Sequence, residues 1–203
     1  RGLGDVYKRQ GDFNLIKKKQ YMLKFNDKNF LLPVNIIGKH NYMNAITAIA
    51  ACKELKVPIK TQIKALSSFK GVSKRTDLVC EIDGIKVFDD FAHHPTAIKS
   101  SINSIKDTFT GKRLLTIFVP GSNSMRLGVH NDQLAPSLKK SDRALVLTRF
   151  KPLKRLIGNN IKINVIETEA QIREYLDREN NFDIVLVLSN RNTENILRYI
   201  KNG

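Results

Sequence analysis

Short runs of almost purely apolar residues recur along the second half of the chain, separated by amphipathic stretches. Residues 114–119, 144–148 and 184–188 are such runs, and isoleucines within 98–105 repeat at intervals of four and three residues. Strands that are apolar on both sides become buried on both faces of a sheet, and the intervening helices cover those faces. The pattern therefore predicts an α/β fold in which a Rossmann-like domain contains a mainly parallel sheet.

Turn signals and periodicity predict the remaining elements. Asp83-Gly84 separates two β-prone runs and is typical of a two-residue hairpin turn. Nearer the N-terminus, residues 20–25 and 30–34 predict a second hairpin. The apolar patterns of residues 43–55 and 59–69 predict two helices.

The chain is expected to contain parts of two domains. Residues 11–71 form the first and residues 72–203 the second, with a hinge at residues 70–73. Residues 1–10 are polar, lack periodicity and resemble a translated sequencing adaptor, so we expect them to be non-native. On that interpretation the chain is a fragment whose natural N-terminus lies upstream.

The composition limits the class of protein. No apolar run is long enough to span a membrane, and neither cysteine belongs to a C-x-x-C pattern, so we expect a cytoplasmic protein with reduced thiols. The net charge of +16 attracts polyanions, which makes a basic nucleic-acid-binding module an alternative of a different class. The lysine clusters carry no interleaved aromatic residues, and we interpret them as a solvated surface.

The densest group of polar residues lies between a predicted strand and a predicted helix. Residues 89–96 read Asp-Asp-Phe-Ala-His-His-Pro-Thr. In open α/β sheets, ligands bind beyond the carboxyl ends of strands, and a helix N-terminus attracts anions. Asp90 is therefore a candidate for contact with ribose or a metal-bound water, and His93 for contact with a phosphate oxygen. Helix capping by the carboxylates and a metal site are the alternatives, and nucleotide binding ranks above the metal site.

Two other segments carry candidate nucleotide contacts. Asn41 and Asn44 are three residues apart and share a helix face, where carboxamides suit a purine edge. Helix N-capping by Asn41 is an equally good interpretation. Arg75 follows the predicted hinge, from which its guanidinium can reach a phosphate when two domains close.

Together, these segments resemble the Mur ligase family of ATP-dependent amide-forming enzymes. Their order along the chain is G-x-H-N-x-x-N-A from residue 38, G-V-x-x-R from residue 71 and D-D-x-x-H-H-P-T from residue 89. Residues 122–130, Ser-Asn-Ser-Met-Arg-Leu-Gly-Val-His, are similar to the branch that joins L-alanyl-γ-D-glutamyl-meso-diaminopimelate to UDP-N-acetylmuramate. The branch that adds L-alanine instead is the alternative.

The resemblance implies a chemistry and a set of residues. In the family, ATP phosphorylates the carboxylate of UDP-N-acetylmuramate, and the amine of the murein tripeptide attacks the resulting acyl phosphate during peptidoglycan recycling, with Mg2+ screening the phosphates. It implies a monomer with small-molecule substrates, without nucleic acid or membrane partners and without a metal site in this chain. By resemblance, the ATP-binding residues are His40, Asn41, Asn44, Arg75 and Asp90, the catalytic residues are Arg75, Asp90 and His93, and the substrate-binding residues are Ser122, Asn123, Arg126 and His130.

Three features depart from the family pattern. Val119 and Gly121 flank Pro120 where the family usually has an acidic residue and an arginine, which leaves the substrate contacts at these positions undefined. No G-x-x-x-x-G-K-[ST] occurs, so the sequence lacks the backbone cradle for a triphosphate. The family's magnesium ligands and UDP-binding domain are likewise expected upstream, and we expect this chain alone to be inactive although its parent is a ligase.

Overall fold

The computed structural model describes residues 13–17, 21–25, 28–33, 37–151, 153 and 162–201. The chain divides into two compact units, Arg1–Gly71 and Val72–Gly203. The segment 1–10, which we expect to be non-native, lies outside the described residues. No helix in the described part of the chain is both long enough and apolar enough to span a membrane.

The first unit contains a three-stranded antiparallel sheet and two helices. Its strands pair in the order of the chain, and the helices follow them: β1 (Phe13–Lys17), β2 (Tyr21–Phe25), β3 (Lys28–Leu31), α1 (Lys39–Glu54) and α2 (Ile59–Ser68). Residues from the sheet and from α1 share one core, in which Leu23, Ile46 and Ile49 are buried.

The first unit differs from the sequence-based prediction in two details. Strand β1 was not predicted, because its five residues carry little alternation and its place in the sheet comes from pairing with β2. Helix α1 begins at Lys39 rather than at residue 43. Gly38, with φ of 103°, has a backbone conformation that glycine adopts readily, so the chain turns there and the helix starts at the next residue.

The second unit is an α/β domain with a six-stranded sheet. Its elements in chain order are β4 (Asp77–Ile82), β5 (Ile85–Asp90), α3 (Pro95–Thr108), β6 (Leu114–Phe118), α4 (Asn123–Arg126), α5 (Asn131–Leu138), β7 (Arg143–Leu147), β8 (Ile163–Ile166), α6 (Ala170–Arg178), β9 (Ile184–Leu188) and α7 (Glu194–Lys201). The spatial order is β4-β5-β9-β6-β7-β8, and only β4 runs antiparallel to its neighbour. The predicted α/β fold with a mainly parallel sheet is confirmed.

Both faces of this sheet are covered by helices. Every residue of β6 and β9 is buried. Leu115 and Ile117 pack into a cluster that includes side chains of α6 and α7, while the alternate residues of β6 point to the opposite face. Helices α3 and α5 contact each other, and α3 buries the isoleucines of its predicted apolar stripe.

The strand order places a topological switch point between β6 and β9. After β6 the chain moves outward to β7 and β8, whereas β9 returns to the middle of the sheet and pairs with both β5 and β6. Strands β5, β9 and β6 run parallel, so their carboxyl ends lie at one edge of the sheet. Ligands of open α/β sheets bind at such an edge, and the loops after β5, β6 and β9 therefore define the candidate site.

Candidate functional site

Asp90 ends β5 and is the best-anchored polar residue of the candidate site. Its side chain is buried, with 4% exposed. Oδ2 accepts a hydrogen bond from Thr76 Oγ1 at 2.7 Å, and Oδ1 accepts one from the backbone N–H of Ala92 at 2.8 Å. The carboxylate therefore holds the turn after β5 against the segment that precedes β4. Helix capping by this carboxylate was the wrong alternative, because His94 is the N-cap residue of α3.

The segment before β4 has an unusual backbone. Lys74 and Thr76 adopt φ values of 57° and 56°, in the left-handed region that β-branched residues such as threonine rarely enter. The backbone N–H of Lys74 donates to Asp77 Oδ2 at 2.6 Å, and its carbonyl accepts from the N–H of Phe91 at 2.8 Å. These contacts hold Arg75, which is exposed, next to the turn that contains Asp90.

The neighbouring carboxyl group, Asp89, has a different environment. It is buried, and Oδ2 accepts a hydrogen bond from Thr193 Oγ1 at 2.9 Å, while Oδ1 has no hydrogen-bond partner in the described part of the chain. Burial raises the pKa of this carboxyl above its usual 3.8, against the lowering effects of the Thr193 hydroxyl and the Lys74 charge. Asp89 thus connects β5 to the loop before α7.

Asp89 and Asp142 should give opposite pH dependences of stability. Burial by itself raises the pKa of Asp142 as well. However, Asp142 Oδ2 accepts hydrogen bonds from the Leu114 N–H at 2.8 Å and from the Lys106 ammonium at 2.9 Å. These contacts outweigh the effect of burial, so the pKa of Asp142 lies below 3.8. The pKa of Asp89 is raised in the folded protein, so the folded protein holds this proton more tightly than the unfolded chain does. Stability is therefore lost as the pH rises through that raised pKa. Asp142 stabilises the fold above pH 3.8 and loses that contribution as the pH falls.

Urea unfolding between about pH 3 and pH 7 tests this difference. The stability of wild type relative to Asp89→Asn should fall as the pH rises, because the wild-type chain must ionise a buried carboxyl. Relative to Asp142→Asn it should rise over the same range, which makes the second variant the matched control. Slopes of the same sign for the two variants would contradict the assignment.

Two histidines follow the acidic turn and point to different surroundings. The His93 ring lies 5.3 Å from the Phe91 ring, edge to face, and its Nδ1 is 3.0 Å from the Phe91 carbonyl oxygen. His94 is exposed and precedes Pro95, which begins α3 as the sequence predicts. The His94 ring contacts the His130 ring at 4.7 Å, so the loop after β6 reaches the loop after β5.

The other predicted substrate residues lie on and around the short helix α4. Ser122 is its N-cap, and the Met125 N–H donates to Ser122 Oγ at 3.4 Å. Asn123 is exposed. The Arg126 guanidinium lies 5.3 Å from the centre of the Phe150 ring, and its Nε is buried without a hydrogen-bond partner among the described residues.

The predicted purine-binding residues lie in helix α1 of the first unit. Asn44 is exposed and His40 is half-buried. Asn41 is buried, and its Nδ2 donates to the carbonyl of Ile37 at 2.6 Å. The N-capping interpretation of Asn41 was wrong, because Gly38 is the N-cap and no side chain caps this helix.

Sequence reasoning missed the hydroxyl residues that hold the loops together. Thr76 and Thr193 bind the two carboxylates, and neither belongs to the quoted motifs. Ser189 Oγ donates to the Val119 carbonyl at 3.1 Å and accepts from the Arg191 N–H at 3.0 Å. For Ser189 and Thr193, the position after the apolar run of β9 was the available signal, because that run predicts a buried strand whose carboxyl end lies at the edge where ligands of such sheets bind. Thr76 precedes β4 and had no such signal.

The acidic side chains were also candidates for a metal site. Within the described residues, no group of three or more His, Cys, Asp and Glu side chains is placed to hold a metal ion. The hydroxyl and amide groups described above already engage Asp89 Oδ2 and both oxygens of Asp90. The donor set of the described residues therefore does not fit a magnesium site.

Fold and site together define an α/β domain whose polar residues gather at the carboxyl edge of a parallel sheet. Comparison with known families identifies which domain this is. Residues 74–191 match the model described as "Mur ligase, glutamate ligase domain". The chain belongs to the Mur ligase family, as its motifs predict.

Curated relatives include two types of ligase. The chain is 41% identical over 114 residues to UDP-N-acetylmuramate–L-alanyl-γ-D-glutamyl-meso-2,6-diaminoheptandioate ligase of Haemophilus influenzae, covering 56% of this chain and 25% of that protein. It is 34% identical over 139 residues to UDP-N-acetylmuramate–L-alanine ligase of Clostridium novyi, and this alignment covers 68% of this chain and 30% of that protein. The chain therefore spans less than half the length of these relatives.

Solved structures show the same fold. A murein peptide ligase from Psychrobacter arcticus superposes with a TM-score of 0.64 and 29% identity, over 95% of this chain and 45% of that one. A MurF ligase from Thermotoga maritima in complex with ADP superposes with a TM-score of 0.74, over 94% of this chain and 46% of that one. Its sequence identity is 18%, so this similarity supports the fold alone.

Proposed function

We propose that this chain is the C-terminal part of a murein peptide ligase. The parent enzyme would join L-alanyl-γ-D-glutamyl-meso-diaminopimelate to UDP-N-acetylmuramate in the cytoplasm, with ATP as the energy source. The observation that carries the proposal is the acidic turn, in which Thr76 and Ala92 orient the Asp90 carboxylate beside the exposed Arg75. The 41% identity to a relative with this named activity and the sequence of residues 122–130 support the choice of substrates.

In this proposal the residues of the acidic turn serve the nucleotide. Arg75 has an exposed guanidinium that binds phosphate oxygens, and His93 donates a hydrogen bond to a phosphate oxygen. Asp90 is almost fully buried and already accepts two hydrogen bonds, so its main role is to position the turn, and its remaining lone pairs face ribose. It is therefore a positioning residue more than a catalytic one.

The proposed adenine contacts lie in the first unit, which we propose is the C-terminal part of the family's central ATP-binding domain. Asn44 and His40 contact the purine from the first turns of α1. Asn41 supports them from inside the helix, because its amide is engaged by the Ile37 carbonyl. Carboxamides suit this role, since each offers one donor and one acceptor to a base edge.

The loop after β6 is proposed to bind the incoming peptide. Asn123 and Arg126 supply polar contacts, with His130 beside His94 at the rim. Ser122 contributes by capping α4, which fixes the direction of the two residues that follow it. Arginine suits a peptide that carries carboxylates, because its guanidinium binds them in a two-point arrangement.

ATP supplies the phosphoryl group that activates the carboxylate of UDP-N-acetylmuramate. The magnesium ion implied by the family does not fit the described residues of this chain, so we place its ligands outside them. What these residues do is bind the nucleotide, orient the amine of the peptide toward the activated carboxyl carbon, and exclude water from it.

An activity assay tests the proposal and the expected dependence on upstream sequence. The 203-residue chain should release no phosphate from ATP with UDP-N-acetylmuramate and the tripeptide, because it lacks a phosphate-binding loop. A form extended upstream in the same reading frame should release phosphate and form the ligated product, measured by a coupled phosphate assay and mass spectrometry. Turnover by the 203-residue chain, or an inactive extended form, would refute this.

A second candidate is UDP-N-acetylmuramate–L-alanine ligase. It is favoured by the longer alignment to relatives of that name, which reaches 68% of this chain in one case and 83% in another. The two candidates share their chemistry and differ in the acceptor. Offering L-alanine and the tripeptide separately to the extended form distinguishes them, and product only with L-alanine would replace the first proposal by the second.

A further inference from the structure

A cavity lies at the amino edge of the six-stranded sheet, away from the loops of the candidate site. Its volume is about 460 Å³, and it is lined by the turn between β4 and β5, by α6, by the segment before β9 and by the end of α7. The parallel strands β5 and β9 begin at this edge, whereas the candidate site follows their last residues. A Cβ built on Gly84, in the turn, would meet no atom of the described residues within 4 Å, so the space beside the turn is open.

The walls of this cavity are largely apolar. They include side chains from the hydrophobic core of the second unit and from its margin: Ile82, Ile85, Leu176, Phe182, Val185 and Ile200. Ile82 and Ile85 lie opposite each other across the hairpin, and both are only partly buried. Small organic molecules bind in cavities of roughly 300–1,000 Å³ whose walls are mostly apolar. The cavity therefore has the size and the walls to hold the apolar part of such a molecule.

The rim of the cavity is acidic, although the chain as a whole has a net charge of +16. Three carboxylates, those of Asp83, Asp177 and Asp183, line it together with one guanidinium, that of Arg173. Arg173 and Asp177 form an ion pair one turn apart on α6, and Lys112 Nζ pairs with Asp183 Oδ1 at 2.7 Å. The Asp83 carboxylate is exposed and has no ion-pair partner in the described part of the chain. The rim therefore keeps one uncompensated negative charge.

The other charged residues of the hairpin lie on its opposite face. Lys86 and Glu81 form an ion pair across the two strands. Because they alternate with the two isoleucines of the cavity wall, their side chains point away from the cavity. At the rim, the Lys112 ammonium and the Arg113 N–H hold the pKa of the Asp183 carboxyl below 3.8, so this group is ionised at neutral pH. A molecule that enters the cavity thus meets apolar walls and an anionic rim.

We propose that this cavity binds a small organic cation, an amine with an apolar body. The apolar part lies against the isoleucines of the hairpin and the core side chains behind them, and the ammonium group lies at the rim beside Asp83. A neutral molecule leaves this carboxylate without a partner, and an anion is repelled by it. The inference does not rest on the proposed function, because no residue that lines the cavity belongs to the loops after β5, β6 and β9.

NMR titration of the 203-residue chain with three octyl probes tests this inference. The probes are n-octylammonium, 1-octanol and octanoate, which share an alkyl chain and differ in the charge of the head group. n-Octylammonium should shift the backbone signals of residues 82–85 and 176–183, with a Kd on the order of 1 mM for a molecule of this size. 1-Octanol should bind about threefold more weakly and octanoate more weakly still, and added salt should reduce these differences.

Two variants separate the roles of the rim and the walls. Asp83→Asn should weaken n-octylammonium binding about threefold and leave 1-octanol binding unchanged, because asparagine also suits the turn but carries no charge. Ile82→Ala should weaken binding of all three probes about threefold or more, because it removes apolar surface from the wall. The matched control is Asp107→Asn, an exposed aspartate on α3 that does not line the cavity, and it should change neither affinity.

The results that would overturn the inference are distinct. Equal affinities for the three probes, or an Asp83→Asn variant that binds n-octylammonium as tightly as wild type, would show that the cavity does not select a cation. Signal shifts confined to residues outside the cavity, or no shifts at all, would show that it is not a binding site. The proposed ligase function stands in each of these cases, because its residues lie at the other edge of the sheet.

Discussion

Asp90→Ala is expected to destabilise the second unit by about 2–4 kcal/mol. The alanine leaves the Thr76 hydroxyl and the Ala92 N–H without their acceptor, and both residues are buried. Asp90→Asn should retain most of the stability, because its Oδ1 can accept from Ala92 and the Thr76 hydroxyl can rotate to accept from its Nδ2. Urea unfolding followed by circular dichroism measures both changes.

The same substitution should also impair ligation in the extended form. Thr76 and Asp90 hold the turn and the segment that carries Arg75, so releasing them displaces the groups proposed to bind phosphate. A displacement of about 1 Å can lower a rate about 100-fold, and we expect Asp90→Ala to lower the ligation rate by at least that factor. Asp83→Asn, in the exposed hairpin turn, is the matched control and should change stability by less than about 0.5 kcal/mol. An unaltered rate and midpoint for Asp90→Ala would show that the carboxylate does not position the turn.

Phe88→Ala is expected to destabilise the second unit by about 3–5 kcal/mol. Phe88 lies in β5 with 2% of its surface exposed, and its ring is 5.7 Å from the Phe109 ring at the end of α3. Removing it leaves a cavity between the sheet and the helix that follows the acidic turn, and the surrounding side chains can fill only part of it. Phe88→Leu, which removes less volume, should cost less than Phe88→Ala.

Tyr199→Ala provides the control for this prediction. Tyr199 is also aromatic but lies on α7 with 44% of its surface exposed, so its replacement should cost less than about 1 kcal/mol. Thermal unfolding measures the two variants side by side. Equal midpoints for Phe88→Ala and Tyr199→Ala would contradict the burial of Phe88 in the core between β5 and α3.

Several elements were predictable because their cause is local. The almost purely apolar runs became β6, β7 and β9, since burial on both faces suits such residues. Asp83 and Gly84 both adopt positive φ and join β4 to β5, as that dipeptide favours in hairpins. Pro95 begins α3 because its fixed φ and missing N–H suit a first helical turn.

The roles of the two acidic residues were not predictable because their cause is distant in sequence. Asp89 and Asp90 are adjacent and chemically identical, yet one binds a threonine 104 positions away and the other a threonine 14 positions away. Their different roles arise from these partners and from burial.

Sequence alone determined the family and the class of fold, because motif order and apolar periodicity depend on residues close together in the chain. It also predicts that ligands bind at the acidic turn and at the loop after β6, and this stays a prediction. Only the tertiary structure decided which side chains hold the loops of the candidate site in place. It placed Thr76 on Asp90, Thr193 on Asp89 and Asn190 against Gly121, because hydrogen bonds and packing between distant segments depend on how the strands are ordered in space.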